Sequence, residues 1–499
     1  MSGRGSARGG RVRRRSGDGR EPRSGRAALA AALAAAFALA GCGDEPGPVR
    51  WQSRPDSSAA PVAGAAGIGD PYFPTYGNGG YDALAYRIAA RYQPADDTLT
   101  ATATMRATAT SGLTSFHLDL AGLTVDSVTV DGKPATAARQ EDELVVTPAA
   151  ALPAGREFTV VTAYRGKPRQ KDNPALGGGG WLHTTDGAVA LGQPESASTW
   201  FPVNDHPADK ATYEFALAVP DGLVALSNGV PGERTAEGGW TTWAWAETTP
   251  MASYLATAVI GRYRVTRGTH KGKPVLTAVP ASAPAGGLAE RSLARTTRIA
   301  DYLETVLGPY PVAAYGGVAI ADDRIRYALE TQSRPVYGPS FFTSAESAED
   351  VITHELAHQW CGNSVSLHRW EDIWLNEGCA TYAEWLWSQE RGVRTAAAEF
   401  TQRYDASPAA VWSLPPGRPG ADRIFDESVY QRGAMTLHAL RRTVGDDVFF
   451  RLLKEWTAGK RDGTATTAEF VALAERLSGR DLKALFDAWL YGSKRPARP

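Results

Sequence analysis

Cysteine is scarce in this chain, with three in 499 residues. That excludes a disulfide-framed scaffold and any metal cluster held by four thiolates. An excess of charge of either sign is also missing, since 53 lysines and arginines face 54 acids. Past residue 41 there is no basic block and hence no electrostatic footprint for nucleic acid, and no such partner is expected. Past residue 40, no apolar run approaches the roughly 18 residues that a membrane-spanning helix needs. Internal repeats are absent too, which sets solenoids and propellers aside.

The uneven region is the start. The first 26 residues carry nine arginines against Asp18 and Glu21, and an uncharged Ala- and Leu-rich run from Ala27 leads into Leu39-Ala40-Gly41-Cys42. A basic opening, a short apolar stretch and small residues at the cut make an export signal over 1–41. Leu-Ala-Gly-Cys resembles the bacterial lipobox, which implies cleavage before Cys42 and lipid on its thiol; a plain secretory signal is the alternative. The expected location is therefore outside the cytoplasm, either lipid-anchored to the outer face of the bacterial cell membrane or secreted. Residues 42–70 are rich in Gly, Pro, Ala and Ser, without apolar periodicity, and read as a flexible tether.

Chemistry is concentrated between Thr353 and Glu384. His354-Glu355-Leu356-Ala357-His358 is followed, after eighteen residues, by Glu377 within Trp374-Leu-Asn-Glu-Gly378. On a helix, two imidazoles four residues apart project from one face about a turn apart. Both can then reach a single zinc ion at about 2.0–2.1 Å. A catalytic zinc takes three protein ligands and keeps one position open for water. Glu377 supplies the third ligand, and Glu355 is placed to act on that water as general base. A metzincin would need glycine at position 361 and histidine at 364, where this chain has Cys361 and Ser364. His117, His183, His206, His270, His368 and His438 fall in no motif and are expected to be packed or at the surface. Glu384, seven residues past Glu377, projects from nearly the same helix face; it either orients a zinc-bound imidazole or lies at the surface. Cys361 and Cys379 flank the motif, as a disulfide or as two buried thiols. A bridge closing so short a loop would contribute roughly 3 kcal/mol.

Along the rest of the chain, short alternating runs such as Leu99 to Met105 and Val125 to Val130 before Asp131-Gly132 predict an antiparallel β domain over 71–268. Helical spacing then takes over, in Leu288 to Leu307, in the motif segment Ala348 to Trp360, and in Gly433 to Arg442, Val448 to Ala458, Thr467 to Leu477 and Asp481 to Leu490. Gly316 to Ile325 reads as a strand. Thr466 with Glu469 offers a capping box and Gly479 a stop. The fold class expected is α+β and multidomain, with 269–499 as the second domain.

The zinc signature with its eighteen-residue gap resembles the gluzincin aminopeptidase family that includes aminopeptidase N and leukotriene hydrolase. Tyr72-Phe-Pro-Thr-Tyr-Gly-Asn-Gly-Gly-Tyr-Asp82 resembles the opening of its secreted bacterial members, and Gly192-Gln-Pro-Glu195 with Trp200-Phe-Pro-Val-Asn-Asp-His-Pro207 its N-domain signature. Val429-Tyr-Gln-Arg-Gly-Ala434 is similar to the segment holding its catalytic tyrosine. The resemblance implies a β-saddle domain followed by a thermolysin-like catalytic domain with a mainly helical C-terminal part. It also implies one zinc ion on His354, His358 and Glu377, peptide substrates, and Tyr430 donating to the oxyanion. The family binds the substrate's free amine through a Gly-x-Met-Glu-Asn strand. Tyr327-Ala-Leu-Glu-Thr331 stands at that place, so Glu330 is the implied amine anchor, with Gln193 near the same pocket. Three of the five positions differ, and Tyr327 replaces a glycine that lets backbone approach substrate. Large members continue into a helical domain for which no residues follow here, so an open cleft is expected. The activity implied is that of an aminopeptidase. An endopeptidase or other hydrolase on the same scaffold, and a non-catalytic peptide-binding lipoprotein, are the alternatives.

Overall fold

The computed structural model describes residues 60–173 and 176–499. The signal over 1–41, Cys42 and the tether as far as residue 59 lie outside the described residues.

The first half is a sandwich. Its largest layer is an eight-stranded sheet in the order Val230–Glu237, Trp240–Ala252, Lys210–Pro220, Tyr81–Gln93, Thr98–Ala109, Glu157–Gly166, Thr124–Val130, Lys133–Pro134. Strict alternation makes one face of it apolar: Tyr86, Ile88, Ala90 and Tyr92 point inward from one strand, and Leu99, Ala101, Ala103 and Met105 from the next. Two four-stranded sheets cover that face. Tyr81 packs edge-on against Phe116 of one and Tyr92 against Trp181 of the other, an arrangement that aromatic rings favour. The expected antiparallel character holds with a local exception: Lys210–Pro220 runs parallel to Tyr81–Gln93. The chain reaches that position only after a long excursion through Gly180–His183 and Ala188–Leu191, as a parallel pairing requires.

Two expected boundaries move. The tether ends before residue 70, because Val62–Ala63 pairs with the strand Leu113–Asp119 and Asp70 is buried. Composition could not reveal this, since two strand residues and one carboxylate make no periodic pattern. The division expected at 268/269 cuts through a strand. Tyr263–His270 forms a hairpin with Lys273–Pro280, and this hairpin belongs to the following five-stranded sheet with Tyr315–Ala319, Val336–Tyr337 and Ala328–Leu329. The hairpin follows the last sandwich strand, Ala258–Gly261, after a single residue, so no break in the sequence marks the border.

Four helices then build the site: α1 (Thr296–Leu307), α2 (Ala345–Ala357), α3 (Trp374–Glu390) and α4 (Gly433–Val444). The expected helix over 288–307 is broken in two at Ala294 and Arg295. The first three tail helices form as read, while the fourth is a short α-helix, Lys483–Phe486, continued by a π-helical turn, Asp487–Tyr491. The capping box of Thr466 and Glu469 is present, with Gly479 in the left-handed conformation closing the third helix. No described helix is long and apolar enough to cross a membrane.

Candidate metal centre

α2 starts at Ser344, whose side chain accepts from the Ser347 amide, and ends at His358. Its last turn and the residue after it carry His354 and His358, with ring centroids 4.7 Å apart. The chain then folds back sharply at Gly362, whose φ of +128° is open to glycine; a Cβ there would meet the Asn376 amide at 3.1 Å and the His358 ring at 3.4 Å. Glu377 sits in the first turn of α3. Its Oε2 lies 3.3 Å from Nε2 of both histidines.

The remaining ring nitrogens are occupied from behind. Glu384 Oε1 accepts from His354 Nδ1 at 2.6 Å, and the Cys361 carbonyl accepts from His358 Nδ1 at 2.9 Å. With Nδ1 donating, Nε2 of each ring is directed at the Glu377 carboxylate and is the atom left to bind a metal once its proton is displaced. The three ligand atoms lie within 4.8 Å of one another and all three residues are buried. Two imidazole nitrogens and a carboxylate oxygen are the donor set of a three-ligand zinc site, so the residues fit the ion.

The electrostatics agree. Glu330, Glu355 and Glu377 are all buried around this point, with Glu384 beside it. Burial alone would depress the His358 pKa, but the carboxylates of Glu377 and Glu330 outweigh it and lift it to about 9. His354 is likewise raised well above its ordinary value, Glu377 and Glu384 outweighing burial. Burial works to raise Glu377, yet the two histidines hold it at about 2. Glu355 is pushed up to about 8, by burial first and then by Glu330 and Glu377 against the histidines. A site that binds protons this avidly is a site of negative potential, and a dication competes for it. Glu355 Oε2 is buried without a hydrogen-bond partner.

These residues line one cleft of about 850 Å³, together with Gln193, Glu330, Tyr327, Asp350 and Tyr430. Tyr430 stands on a π-helical turn, Ser428–Arg432, just ahead of α4; its ring is 6.0 Å from that of His354. Glu330 follows the edge strand Ala328–Leu329 and is 3% exposed. Its Oε1 accepts from the Tyr254 hydroxyl at 2.7 Å and from Gln193 Nε2 at 3.4 Å, both contributed by the sandwich. Its carbonyl accepts from Gln359 and Asn363 at 3.1 and 2.7 Å. Tyr327 turns its hydroxyl to the Gly178 carbonyl at 3.1 Å. His354, Glu355, His358, Glu377, Glu384, Tyr430, Glu330 and Gln193 thus line one cleft, which Cys361 and Cys379 do not.

Tyr254, Gln359 and Asn363 were not foreseen. Gln359 and Asn363 adjoin the motif and could have been found by that; Tyr254 carries no local signal. Cys361 and Cys379 are joined by a disulfide. Of the histidines outside the motif, His206 pairs with Asp70, His270 with Asp301, and His438 with Tyr382. The tryptophans between 360 and 387 are all core residues.

Comparison with known proteins places this geometry. The M1 N-terminal domain matches residues 82–255 and the peptidase family M1 domain residues 296–489. Aminopeptidase M1-C of Oryza sativa subsp. japonica is 30% identical over 329 residues, which is 61% of this chain and 37% of that protein. Glutamyl aminopeptidase of Sus scrofa is 28% identical over 60% of this chain and 34% of its own length. The chain thus spans little more than a third of these curated relatives. An M1 zinc metallopeptidase from Deinococcus radiodurans, crystallised as a mutant bound to a Tyr-Ser-Ala substrate, superposes with a TM-score of 0.79 at 29% identity, covering 87% of this chain and 99% of that one. The unmutated enzyme gives 0.78 at 28%. Both family domains, in order and around an intact ligand set, lead to one conclusion: the chain belongs to peptidase family M1, and its cofactor is a single zinc ion.

Proposed function

We propose that this protein is an exported aminopeptidase that removes N-terminal residues from peptides. The observation that carries the exopeptidase reading is Glu330, a buried carboxylate set by Tyr254 and Gln193 in the same cleft as the metal ligands. A carboxylate so placed binds a substrate's free ammonium by a charge-assisted hydrogen bond and measures the distance from amine to metal. Gln359 and Asn363 tie the Glu330 backbone to the motif segment, which keeps that distance constant.

Zinc on His354, His358 and Glu377 supplies a Lewis acid that acidifies water and polarises a carbonyl. Glu355, with its free Oε2 in the cleft, takes the proton of the attacking water and returns it to the leaving amine. Tyr430 is held as a neutral phenol by burial and by the surrounding carboxylates, so it can donate to the developing oxyanion. Glu384 and the Cys361 carbonyl fix the two imidazoles in the donor tautomer. The export pattern at the N-terminus and a disulfide between Cys361 and Cys379 support a location outside the cytoplasm, since such bonds persist in oxidising compartments.

The test compares one peptide with a free and with an acetylated N-terminus. Rapid cleavage of the first and none of the second is expected; equal rates would establish the endopeptidase reading instead. Glu330→Ala should lower kcat/KM for the free-amine peptide by about 10²-fold, the loss of a charged hydrogen bond. Metabolic labelling with a fatty acid, and its loss in Cys42→Ser, separates the anchored from the secreted form.

A further inference from the structure

We propose that the Cys361–Cys379 bond is a positioning element of the metal site, setting where Glu377 stands relative to the two imidazoles. The three ligand atoms come from two segments, α2 with its capping His358 and α3, joined by turns, the short strand Ser366–Leu367 and the 3-10 turn Trp370–Asp372. The bond crosses between them close to the ligands: Cys361 is three residues after His358, Cys379 is two after Glu377, and their Cα atoms are 6.4 Å apart. Cys361 acts at both ends. Its carbonyl orients the His358 ring, while its sulfur grips the helix of Glu377. A general brace would be worth most across a long loop, and this one encloses a separation of only 18 residues.

The sulfurs sit among apolar side chains. They border a cavity of about 10 Å³ walled by Leu307, Trp374, Leu437 and Phe470, too small and too apolar to hold a bridging water. On its other flank α3 is pressed backbone to backbone against α4 at Gly378 and Gly433. Without the bond, α3 keeps its contact with α4, the hydrogen bond of Trp374 to Thr467 and that of Glu384 to His354, and loses the covalent tie nearest Glu377.

The inference rests on the zinc reading of this site, so its test reads metal retention rather than turnover. Zinc-loaded wild type, the double variant Cys361→Ser/Cys379→Ser, and Leu99→Ala in the core of the sandwich are each mixed with a chromophoric chelator. Melting temperatures of the metal-free forms are taken alongside. The double variant should release zinc about tenfold faster or more, the usual scale for a disturbed ligand support. Leu99→Ala should release it at the wild-type rate although its melting temperature falls. Release at the wild-type rate from the double variant, or equal acceleration in Leu99→Ala, overturns the proposal. If the double variant does not fold, folded zinc-loaded wild type is reduced with a water-soluble phosphine, which consumes one water and yields two thiols and a phosphine oxide. Unchanged release once both thiols can be alkylated overturns it equally. A wild type that takes up no zinc removes the metal reading itself, a different failure.

Discussion

His354 is flanked by two carboxylates with opposite tasks. Glu377 shares the metal-facing side, and Glu384 holds the far nitrogen at 2.6 Å. Glu384→Gln keeps the size and loses the charge, so zinc affinity should fall about 10- to 100-fold in a competition assay, with the fold intact. On the proposed mechanism, Tyr430→Phe removes the hydroxyl that donates to the forming oxyanion. It should lower kcat by about 10²–10³ with KM little changed, as steady-state kinetics would show. Both residues were legible in the sequence, Glu384 through its spacing on a helix face and Tyr430 through its motif. Tyr254 was not: its hydroxyl reaches Glu330 across 76 positions, and a tyrosine in a β-rich segment looks like core. Glu330 and Gln193 could be singled out, whereas the desolvation of Glu330 and its bond from Tyr254 could not.

Between elements, the constraint nearest the metal ligands is the crossing of α3 and α4. A Cβ on Gly378 would stand 2.8 Å from the Gly433 carbonyl carbon, with no side chain that could move aside. Gly378→Ala should therefore cost about 1–3 kcal/mol in denaturant unfolding, and also lower zinc affinity, because Glu377 is the preceding residue. The same two helices enclose His438, which meets the Tyr382 hydroxyl at 3.1 Å and stacks on Phe400. Burial, reinforced by Arg441 and Arg442, pushes its pKa down to about 4. The unfolded chain takes up this proton near pH 6.5 and the folded chain only near 4. The stability this histidine contributes is thus whole above pH 6.5, declines as pH falls through that window, and is gone below 4. His438→Gln should flatten the acid limb of melting temperature against pH between those values. A limb as steep as wild type would assign the acid sensitivity elsewhere. The helices themselves were readable from apolar spacing and capping residues; their close crossing depended on two glycines that the sequence marks in no special way.

Across the whole molecule the parts are sewn together by buried polar groups. Asp70 accepts from the amides of Tyr72 and Phe73, from His206 of the sandwich and from the Trp370 amide beside α3. Lys210 of the sandwich donates to the carbonyls of Asn363 and Ser364, just past the motif. Burial works against ionised Asp70, but His206 and the three amides hold its pKa below the usual value. Asp70→Ala strands His206 and those amides. It should lower global stability by about 3 kcal/mol at neutral pH, read from denaturant midpoints, and the deficit should shrink below pH 4, where wild type loses the same charge. A loss confined to the first strand, with an unchanged main transition, would show that Asp70 only fastens the segment before it.

The sequence alone determined the zinc chemistry and the class of fold. Ligand identity and helical spacing are local properties, and alternating or 3.6-residue periodicity declares which face of an element is apolar. Tertiary structure alone decided that residues 60–70 join the body, that the hairpin from Tyr263 belongs to the second sheet, that the two cysteines bond, and that the sandwich lends Tyr254 to Glu330. Each of these is a meeting of residues distant in the chain or free of any pattern. Such meetings are settled by which buried polar groups find partners when the core closes, a balance that no short stretch of sequence contains.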